Sequence, residues 1–307
     1  MNSFAKPLQL VFLVLLSLVA VSPVFAAPSA VYVAFNGSDA NPCTRLAACK
    51  TITHALTIVA DEGAVVIVGS GIYDTFTITK AVTVKAEPGV VALIPLTAGA
   101  TGVTINADAT DTVAVEGLSF RAPGAANATG IQANTGGSIV IENCESRDVH
   151  FGVVLNSNTA AFKLQGGVYE ATDTGIFIRT NTNNVTIDGV KIYGLSANAA
   201  VDAVGQRITI THSLLAGSGT TGFAPGVWIK GGQTVVVEDN VISGYGPGVQ
   251  VGGGLGGTGT VFLSNNTITN NLTGVSVSVG NAFTRGNNTF AANGTDVSGA
   301  LTSFAAK

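Results

Sequence analysis

The chain has 307 residues, of which 10% are charged and 7% aromatic, with 39 glycines and a formal net charge of −4. This composition, also rich in asparagine, threonine and valine, excludes a helical bundle and indicates short β-strands joined by tight turns. The sequence contains no basic stripe and few aromatic residues, which excludes nucleic acid and anionic membranes as expected partners.

The first 26 residues are predicted to be a signal peptide. Lys6 is followed by an apolar run over residues 8–20 and by the small-residue cleavage pattern Val24-Phe25-Ala26. The apolar run is shorter than the roughly 18 to 20 residues that a membrane-spanning helix needs. We therefore expect a mature chain of residues 27–307, without membrane insertion, that is secreted, periplasmic or on the cell surface.

Residues 43–63 are predicted to cap the N-terminal end of the mature domain. Export to an oxidising compartment favours a disulfide between Cys43 and Cys49 and leaves Cys144, at a small or apolar repeat position, as a buried free thiol. Between Cys49 and Glu62, one face of a short helix is indicated by apolar residues at Ile52, Ala55, Leu56 and Val59. His54 falls on the polar side of this helix, where we expect it to be solvated.

A repeat governs the rest of the chain. In each repeat, an apolar-x-apolar stretch is followed by polar or glycine residues, a further apolar residue, a turn and the pattern Gly-apolar-x-apolar. The repeats begin at Val113, Ile139, Phe162, Val185, Ile208, Val235, Val261 and Phe283. Their separations are 26, 23, 23, 23, 27, 26 and 22 residues. Three short strands in 22–27 residues form one coil of a single-stranded parallel β-helix. The predicted fold is therefore an all-β solenoid in one domain, with its coils over about residues 64–290.

Equivalent positions on successive coils support this interpretation. One predicted inward column consists of Val115, Ile141, Leu164, Ile187, Ile210, Val237, Leu263 and Arg285. A second predicted inward column lies five residues later on each coil, at Phe120, Ser146, Tyr169, Ile192, Leu215, Ile242, Ile268 and Phe290. A glycine column, where a corner needs a positive φ or a close approach, runs through Gly130, Gly152, Gly175, Gly226, Gly248 and Gly274. The coil at Asn198-Ala199 departs from it. An asparagine ladder at a left-handed turn is predicted for Asn240, Asn266 and Asn288.

The segment before the repeats resembles a known superfamily. Five stretches carry the resemblance: Val31-Tyr32-Val33, Asn36-Gly37-Ser38-Asp39, Cys49-Lys50-Thr51-Ile52, Gly71-Ile72-Tyr73 and residues 77–84. They are similar to the N-terminal region of bacterial right-handed parallel β-helix proteins of the pectate-lyase-like superfamily. The resemblance covers essentially the whole mature chain. It implies a right-handed β-helix and polysaccharide partners, handled in that superfamily by lyases, hydrolases, epimerases, tailspikes and non-catalytic surface proteins.

The first candidate site follows the third strand of each coil. Outward positions there are predicted to hold Phe177 with Arg179, Ala200 with Asp202, Trp228 with Lys230, and Gln250 with Gly252. Strand spacing would place Phe177 and Trp228 roughly 9 to 10 Å apart, about two sugar units, with Ala200 as the floor between them. Phe177, Trp228, Arg179, Lys230 and Gln250 are therefore candidate carbohydrate-binding residues. The alternative is a surface ladder in which Arg179, Asp202 and Lys230 neutralise one another.

A second candidate site lies at a turn of two neighbouring coils. Arg147, Asp148 and His150 belong to the earlier coil, and Glu170 and Asp173 to the later one. Register would place Arg147 over Glu170 and His150 over Asp173. A histidine beside a carboxylate can transfer protons at neutral pH, whereas ordinary ion pairing between coils explains the same pattern.

Two classes of function follow for an exported β-helix. Low charge and the lack of a separate carboxylate triad favour a protein that binds polysaccharide or cell-surface glycan without catalysis, and no cofactor or metal is expected. The alternative is a polysaccharide lyase or glycoside hydrolase, with Asp202, Arg179 and Lys230 as catalytic candidates, or His150, Asp173 and Glu170 instead. A lyase would add calcium as a cofactor. A structural or adhesive role is the third option, and the sequence specifies no oligomeric state.

Overall fold

The computed structural model describes residues 27–156, 159–179, 184–194, 198–205, 207–219, 224–253 and 258–304. The predicted signal peptide, residues 1–26, lies outside them. The described chain forms a right-handed parallel β-helix with one short helix, as predicted. Within the described residues, no helix is both long and apolar enough to cross a membrane.

The helix α1 spans Ile52–Ile58 and the strands follow in chain order. The first ten are β1 (Ala30–Val33), β2 (Gly63–Ile67), β3 (Gly71–Ile72), β4 (Phe76–Ile78), β5 (Val82–Ala86), β6 (Ala92–Pro95), β7 (Thr101–Asn106), β8 (Thr112–Glu116), β9 (Leu118–Arg121) and β10 (Thr129–Thr135). The next ten are β11 (Ser138–Glu142), β12 (Glu145–Leu155), β13 (Ala161–Gln165), β14 (Val168–Ile178), β15 (Asn184–Asp188), β16 (Lys191–Tyr193), β17 (Ala199–Ala203), β18 (Arg207–Thr211), β19 (Leu214–Ala216) and β20 (Val227–Ile229). The last ten are β21 (Thr234–Glu238), β22 (Val241–Ser243), β23 (Pro247–Val251), β24 (Thr260–Ser264), β25 (Thr267–Thr269), β26 (Thr273–Val277), β27 (Asn281–Thr284), β28 (Thr289–Ala291), β29 (Thr295–Ser298) and β30 (Thr302–Ser303).

The strands stack into three faces, each strand pairing in parallel with its equivalents on the neighbouring coils. Face 1 consists of β1, β2, β5, β8, β11, β13, β15, β18, β21, β24, β27 and β30. Face 2 contains β3, β6, β9, the first part of β12 and of β14, β16, β19, β22, β25 and β28. Face 3 contains β4, β7, β10, the second part of β12 and of β14, β17, β20, β23, β26 and β29. Face 1 thus begins at Ala30, before the capping helix, and reaches Ser303, so the pairing extends beyond the residues 64–290 expected for the coils.

The apolar core fills the inside of the stack. Side chains alternate along each strand, so one set points inward. Burial of their apolar surface stabilises the folded state by roughly 25 cal/mol per Å². On face 2 the predicted inward ladder from Phe120 through Tyr169 and Ile192 to Phe290 is confirmed residue by residue. Cys144 is buried and unpaired, and burial raises the pKa of its thiol to about 12, as expected for a core residue.

Two registers differ from the prediction. At the last coil Val261 pairs with Ala282 and Leu263 with Thr284, so Phe283 and Arg285 point outward rather than inward. The prediction was wrong here because the connection before β27 is one residue shorter than the apolar pattern implied. On face 3 the equivalent of the glycine-apolar pair is Ala200-Val201, not Asn198-Ala199.

The helix α1, Ile52–Ile58, lies within residues 43–63, the segment predicted to cap the N-terminal end. Thr51 caps α1 by accepting a hydrogen bond from the His54 backbone N–H at 3.1 Å, and Ile52 and Ala55 are buried against the first coil. The helix packs on β1, β2 and β4, where it closes the open end of the core. The disulfide between Cys43 and Cys49 is confirmed and lies in the loop that precedes the helix.

The glycine column marks a close approach of coils, and its members do not have positive φ angles. A methyl group on Gly248 would lie 2.7 Å from the carbonyl oxygen of Gly274 and 2.9 Å from the Ile268 side chain. We expect Gly248→Ala to lower the free energy of unfolding by about 1–3 kcal/mol through overpacking. Gly232→Ala is the matched control, because its added methyl would meet nothing within 4 Å. Equal urea midpoints for the two variants would contradict this reading.

The asparagine ladder of Asn240, Asn266 and Asn288 is confirmed. Asn266 Oδ1 accepts from the backbone N–H of Asn240 at 3.0 Å, and Asn288 Oδ1 accepts from that of Asn266 at 2.9 Å. The left-handed residue is the one before the ladder, with φ of 58° at Asp239 and 54° at Asn265. A second ladder, which was not predicted, joins Asn293 to Asn271 and Asn271 to the backbone N–H of Tyr245.

Candidate functional site

The outward side of face 3 carries the first candidate site, with one change of register. Phe177 on β14 pairs with Asp202 on β17, which pairs with Trp228 on β20, which pairs with Gln250 on β23. Asp202 therefore lies between the two aromatic residues, in the position predicted for Ala200. Ala200 is fully buried, because an extra pair of residues precedes β17 relative to the preceding coil. We call the set Phe177, Arg179, Asp202, Trp228, Lys230 and Gln250 the face 3 site.

Asp202 and Lys230 form a buried ion pair in the middle of this site. Asp202 has no exposed surface, the Lys230 side chain is 14% exposed, and Lys230 Nζ donates to Asp202 Oδ2 at 2.5 Å. Lys230 Nζ also lies 3.7 Å from the centroid of the Trp228 ring, and Trp228 Nε1 donates to the Gly252 carbonyl at 2.9 Å. The ring and the carboxylate together hold the ammonium in one place.

Burial raises the pKa of Asp202 above its ordinary value, although the hydrogen bond and charge of Lys230 act in the opposite direction. The second carboxylate oxygen, Oδ1, is buried, and no hydrogen bond joins it to the described residues. Arg179 and Asn198 are near enough to favour the charged form as well. A carboxylate with no exposed surface and one oxygen held by Lys230 is poorly placed to reach a polymer on the surface.

Phe177 supports a second cation. The guanidinium carbon of the exposed Arg179 lies 4.3 Å from the Phe177 ring centroid, and the Phe151 ring is stacked on Phe177 with centroids 5.6 Å apart. Phe151 was not among the predicted site residues. A bulge in β12 turns the Phe151 side chain outward, and the sequence alone does not reveal that bulge. The aromatic residues of this face thus position two cations: Arg179, which is exposed, and Lys230, which is held by Asp202.

The second candidate site has the register that was predicted. Arg147 Nη1 lies 3.7 Å from Glu170 Oε2, and His150 Nε2 lies 3.8 Å from Asp173 Oδ2. Arg147 also contacts Glu145 on its own strand, and Asp148 has a left-handed φ of 57° in the bulge. Ion pairing between coils, the alternative considered for this pattern, accounts for these contacts.

The structure joins the two predicted clusters into one continuous surface. The His150 ring meets the Phe151 ring edge-on at 4.4 Å, and Phe151 leads on to Phe177. Asp173 Oδ1 accepts from the Thr174 hydroxyl at 2.7 Å, and the Asn198 amide donates to that hydroxyl at 3.1 Å. His150 Nδ1 is buried and has no hydrogen-bond partner in the part of the chain that the structure describes.

A further histidine cluster, on the edge of face 1, was not predicted. His212 Nδ1 lies 2.8 Å from Asp188 Oδ1, and His212 Nε2 lies 3.8 Å from Asp239 Oδ2. The hydrogen bond to Asp188 raises the pKa of His212 and lowers that of Asp188. His212 is well exposed, so the cluster reads as an ion-paired ladder across three coils rather than a reactive site.

Calcium, which a lyase of this fold would need, does not fit the described carboxylates of face 3. Asp202 is paired with Lys230, Asp173 is paired with His150, and the nearby Arg179 adds a further positive charge. In the part of the chain that the structure describes, one set of three metal-binding side chains converges: Cys43, Cys49 and His54. The two cysteines of that set form the disulfide and are not available as thiolates.

Comparison with known proteins supports the fold. Residues 174–305 match the family model described as a right-handed β-helix region. The chain resembles the solved structure of the pectate lyase Pel9A with a TM-score of 0.51 at 14% identity, covering 90% of this chain and 77% of that one. A rhamnogalacturonan lyase matches with a TM-score of 0.42 at 14% identity, covering 78% and 74% of the two chains. The A-module of the Azotobacter vinelandii mannuronan C-5 epimerase AlgE4 matches at 0.40 and 11%, covering 80% and 91%. No curated protein matches the sequence significantly.

Proposed function

We propose that this protein is an exported β-helix that binds an acidic polysaccharide on the outward side of face 3 without cleaving it. The observation that carries the proposal is the exposed Arg179 guanidinium held over Phe177, next to Lys230 held over Trp228. Two cations that are fixed in place by aromatic rings lose little side-chain entropy when they bind carboxylates. The fold shared with a pectate lyase is compatible with such a ligand.

The strand spacing suits a polymer. Phe177 and Trp228 lie on strands separated by one intervening strand, so Arg179 and Lys230 follow the face at intervals of roughly 9 to 10 Å. Repeating carboxylates on a polysaccharide can then contact Arg179 directly and Lys230 at the edge of its pair with Asp202. Gln250, on the next strand, and the His150–Phe151 surface extend the contact area on either side.

Binding without catalysis is preferred to the two enzyme classes because of the surroundings of Asp202. A lyase base must reach a substrate proton, and a hydrolase needs two carboxylates on opposite sides of the bond. Asp202 is enclosed and paired with Lys230. If the protein is nevertheless a lyase or hydrolase, Asp202→Asn abolishes turnover of the bound polymer while leaving the fold intact.

Titration calorimetry with acidic and neutral polysaccharides tests the proposal. We expect an acidic polymer to bind and Arg179→Ala to weaken that binding by about tenfold or more, since a hydrogen bond to a charged group contributes about 1.5–3 kcal/mol. Arg207→Ala, which removes an exposed arginine from face 1, is the control and should bind as the wild type does. Equal loss in both variants would indicate attraction by overall charge and would contradict a face 3 site.

A further inference from the structure

The loop before α1 and the first turn of that helix bring two cysteines and a histidine together. Cys43 Sγ, Cys49 Sγ and a ring nitrogen of His54 all lie within 4.8 Å of one another. Both cysteines are buried, and His54, which was expected to be solvated, is half-buried. We call these three residues the cap cluster; it lies at the N-terminal end of the β-helix, several coils away from the face 3 site.

The backbone holds both cysteines in place independently of their disulfide. The Tyr32 backbone N–H donates to the Cys43 carbonyl at 2.8 Å, and the Cys49 N–H donates to the Tyr32 carbonyl at 2.9 Å. Cys49 also forms a parallel bridge with Val33 of β1. Strand β1 therefore fixes the Cα atoms of the two cysteines, which lie 4.6 Å apart. We expect the two thiols to stay side by side when the sulfur–sulfur bond is broken.

His54 is anchored separately, through the start of α1. Thr51 caps the helix by accepting a hydrogen bond from the His54 backbone N–H. Asp39 ties this helix start to the loop of the cap cluster, because its Oδ1 accepts from the backbone N–H groups of Lys50 and Thr51 at 2.9 Å each. All three side chains of the cap cluster thus come from segments that hydrogen bonds hold, so a ligand there has little to order.

Two thiolates and an imidazole are ligands that zinc prefers. Zinc–sulfur bonds of about 2.3 Å and zinc–nitrogen bonds of about 2.0–2.1 Å place tetrahedral ligand atoms roughly 3.5 to 4 Å apart. Side-chain rotation can bring reduced Cys43 and Cys49 to that separation, with His54 already close enough. The Asn41 carbonyl oxygen, 3.9 Å from Cys43 Sγ and 3.8 Å from Cys49 Sγ, lies beside them and can complete the set of four.

We propose that the cap cluster is a redox-gated zinc site, closed by the disulfide when oxidised and by a zinc ion when reduced. Two equivalents of a thiol reductant are oxidised to their own disulfide and leave Cys43 and Cys49 as thiols. Zinc then displaces one proton from each thiol and binds the two thiolates and the neutral His54 ring. The disulfide closes only the loop, whereas zinc also joins the loop to α1, so the capping helix stays docked in both states.

Cobalt titration followed by absorption spectroscopy tests the proposal, because Co²⁺ takes the same ligands as zinc and binds them less tightly. The protein is first reduced with a phosphine, which is oxidised to the phosphine oxide, and Co²⁺ is added in the absence of air. We expect a saturable thiolate-to-cobalt charge-transfer band at a single ion per chain, which added Zn²⁺ removes. The unreduced, disulfide-bonded protein is the matched control and should give no such band.

Three variants separate the cap cluster from other metal-binding side chains. His54→Ala should keep a thiolate band and weaken Co²⁺ binding by about tenfold or more, since changes to groups that only orient metal ligands already cost about 10- to 100-fold. Cys144→Ala removes the buried core thiol, and His212→Ala removes an exposed histidine of face 1. Both of these variants should bind Co²⁺ as the wild type does.

Zinc should also raise the urea midpoint of the reduced protein and leave that of the disulfide-bonded protein unchanged, because only the reduced folded state offers the site. The proposal is overturned if the reduced protein gives no charge-transfer band. It is also overturned if His54→Ala binds Co²⁺ with wild-type affinity, or if the band is lost in Cys144→Ala.

Discussion

Lys230→Met is expected to destabilise the protein by about 3–5 kcal/mol at pH 7, because it leaves Asp202 buried and charged without its hydrogen-bonded cation, and only the unbonded charge of Arg179 remains near it. Asp202 has no exposed surface, and its carboxylate is held by Lys230 Nζ at 2.5 Å. Methionine keeps most of the length of the side chain, so the loss reports the charge more than the packing. Urea unfolding followed by Trp228 fluorescence measures the change.

The same variant should recover as the pH falls. Burial raises the pKa of Asp202 in the folded protein, so the folded state binds a proton over a range in which the unfolded state does not. The free energy of unfolding therefore decreases as the pH rises through the ordinary carboxyl range near 4. Without Lys230, the pKa of Asp202 in the folded protein is raised further, so the pH range over which stability declines extends upward. The loss of stability caused by Lys230→Met is therefore largest at pH 7 and shrinks towards pH 4.

The double variant Asp202→Asn/Lys230→Met is the control for this effect. Removing both charges should restore much of the lost stability, since buried pairs can often be replaced by neutral groups at little cost. It should also abolish the part of the pH dependence between pH 4 and 7 that comes from Asp202. Lys163→Met, at an exposed position, should change stability little. A Lys230→Met protein that unfolds with the wild-type midpoint at all pH values would show that Asp202 is not buried as described.

Asn266→Ala is expected to cost about 2–4 kcal/mol, because it leaves several buried backbone and side-chain groups without partners. Asn266 Oδ1 accepts from the backbone and amide groups of Asn240, and its Nδ2 donates to the Val237 carbonyl at 2.7 Å and to Asn288 Oδ1 at 2.9 Å. The residue is 1% exposed, so water cannot take over these bonds. Chemical denaturation with an unchanged m-value measures the effect.

Asn134→Ala offers a matched comparison. Asn134 also sits in a ladder of amides, between Asn106 and Asn156, but on the outside of the β-helix, where water can replace the lost bonds. We expect its substitution to cost well under half as much as that of Asn266. Similar losses from the two variants would contradict the view that burial makes the inner ladder important.

Much of the fold could be predicted from the sequence because the inward side chains obey a simple rule. Each inward position packs only on the equivalent positions one coil above and below, so apolar residues such as Phe120, Tyr169 and Ile192 recur at a readable spacing. The rule fails where a loop between strands changes length. An additional pair of residues before β17 moved Asp202 from beside Arg179 to the position between Phe177 and Trp228.

The properties of the candidate site depended on contacts that the sequence does not reveal. Nothing in the local sequence of Asp202 signals that Lys230, from the next coil, would close over it, or that Trp228 would hold the ammonium. The stacking of Phe151 on Phe177 depends on a bulge in β12. The His150–Asp173 pair was predictable because both residues keep the same offset from an inward position.

The most direct test of the face 3 site is a fluorescence titration of the protein with an acidic polysaccharide. Trp228 is the only tryptophan of the chain and lies under Lys230, within the site. Binding there should produce a saturable change in its emission, which a neutral polysaccharide does not produce and Arg179→Ala weakens by about tenfold. A polymer that binds by calorimetry without altering Trp228 emission would place the binding surface elsewhere and contradict the assignment of polysaccharide binding to the face 3 site.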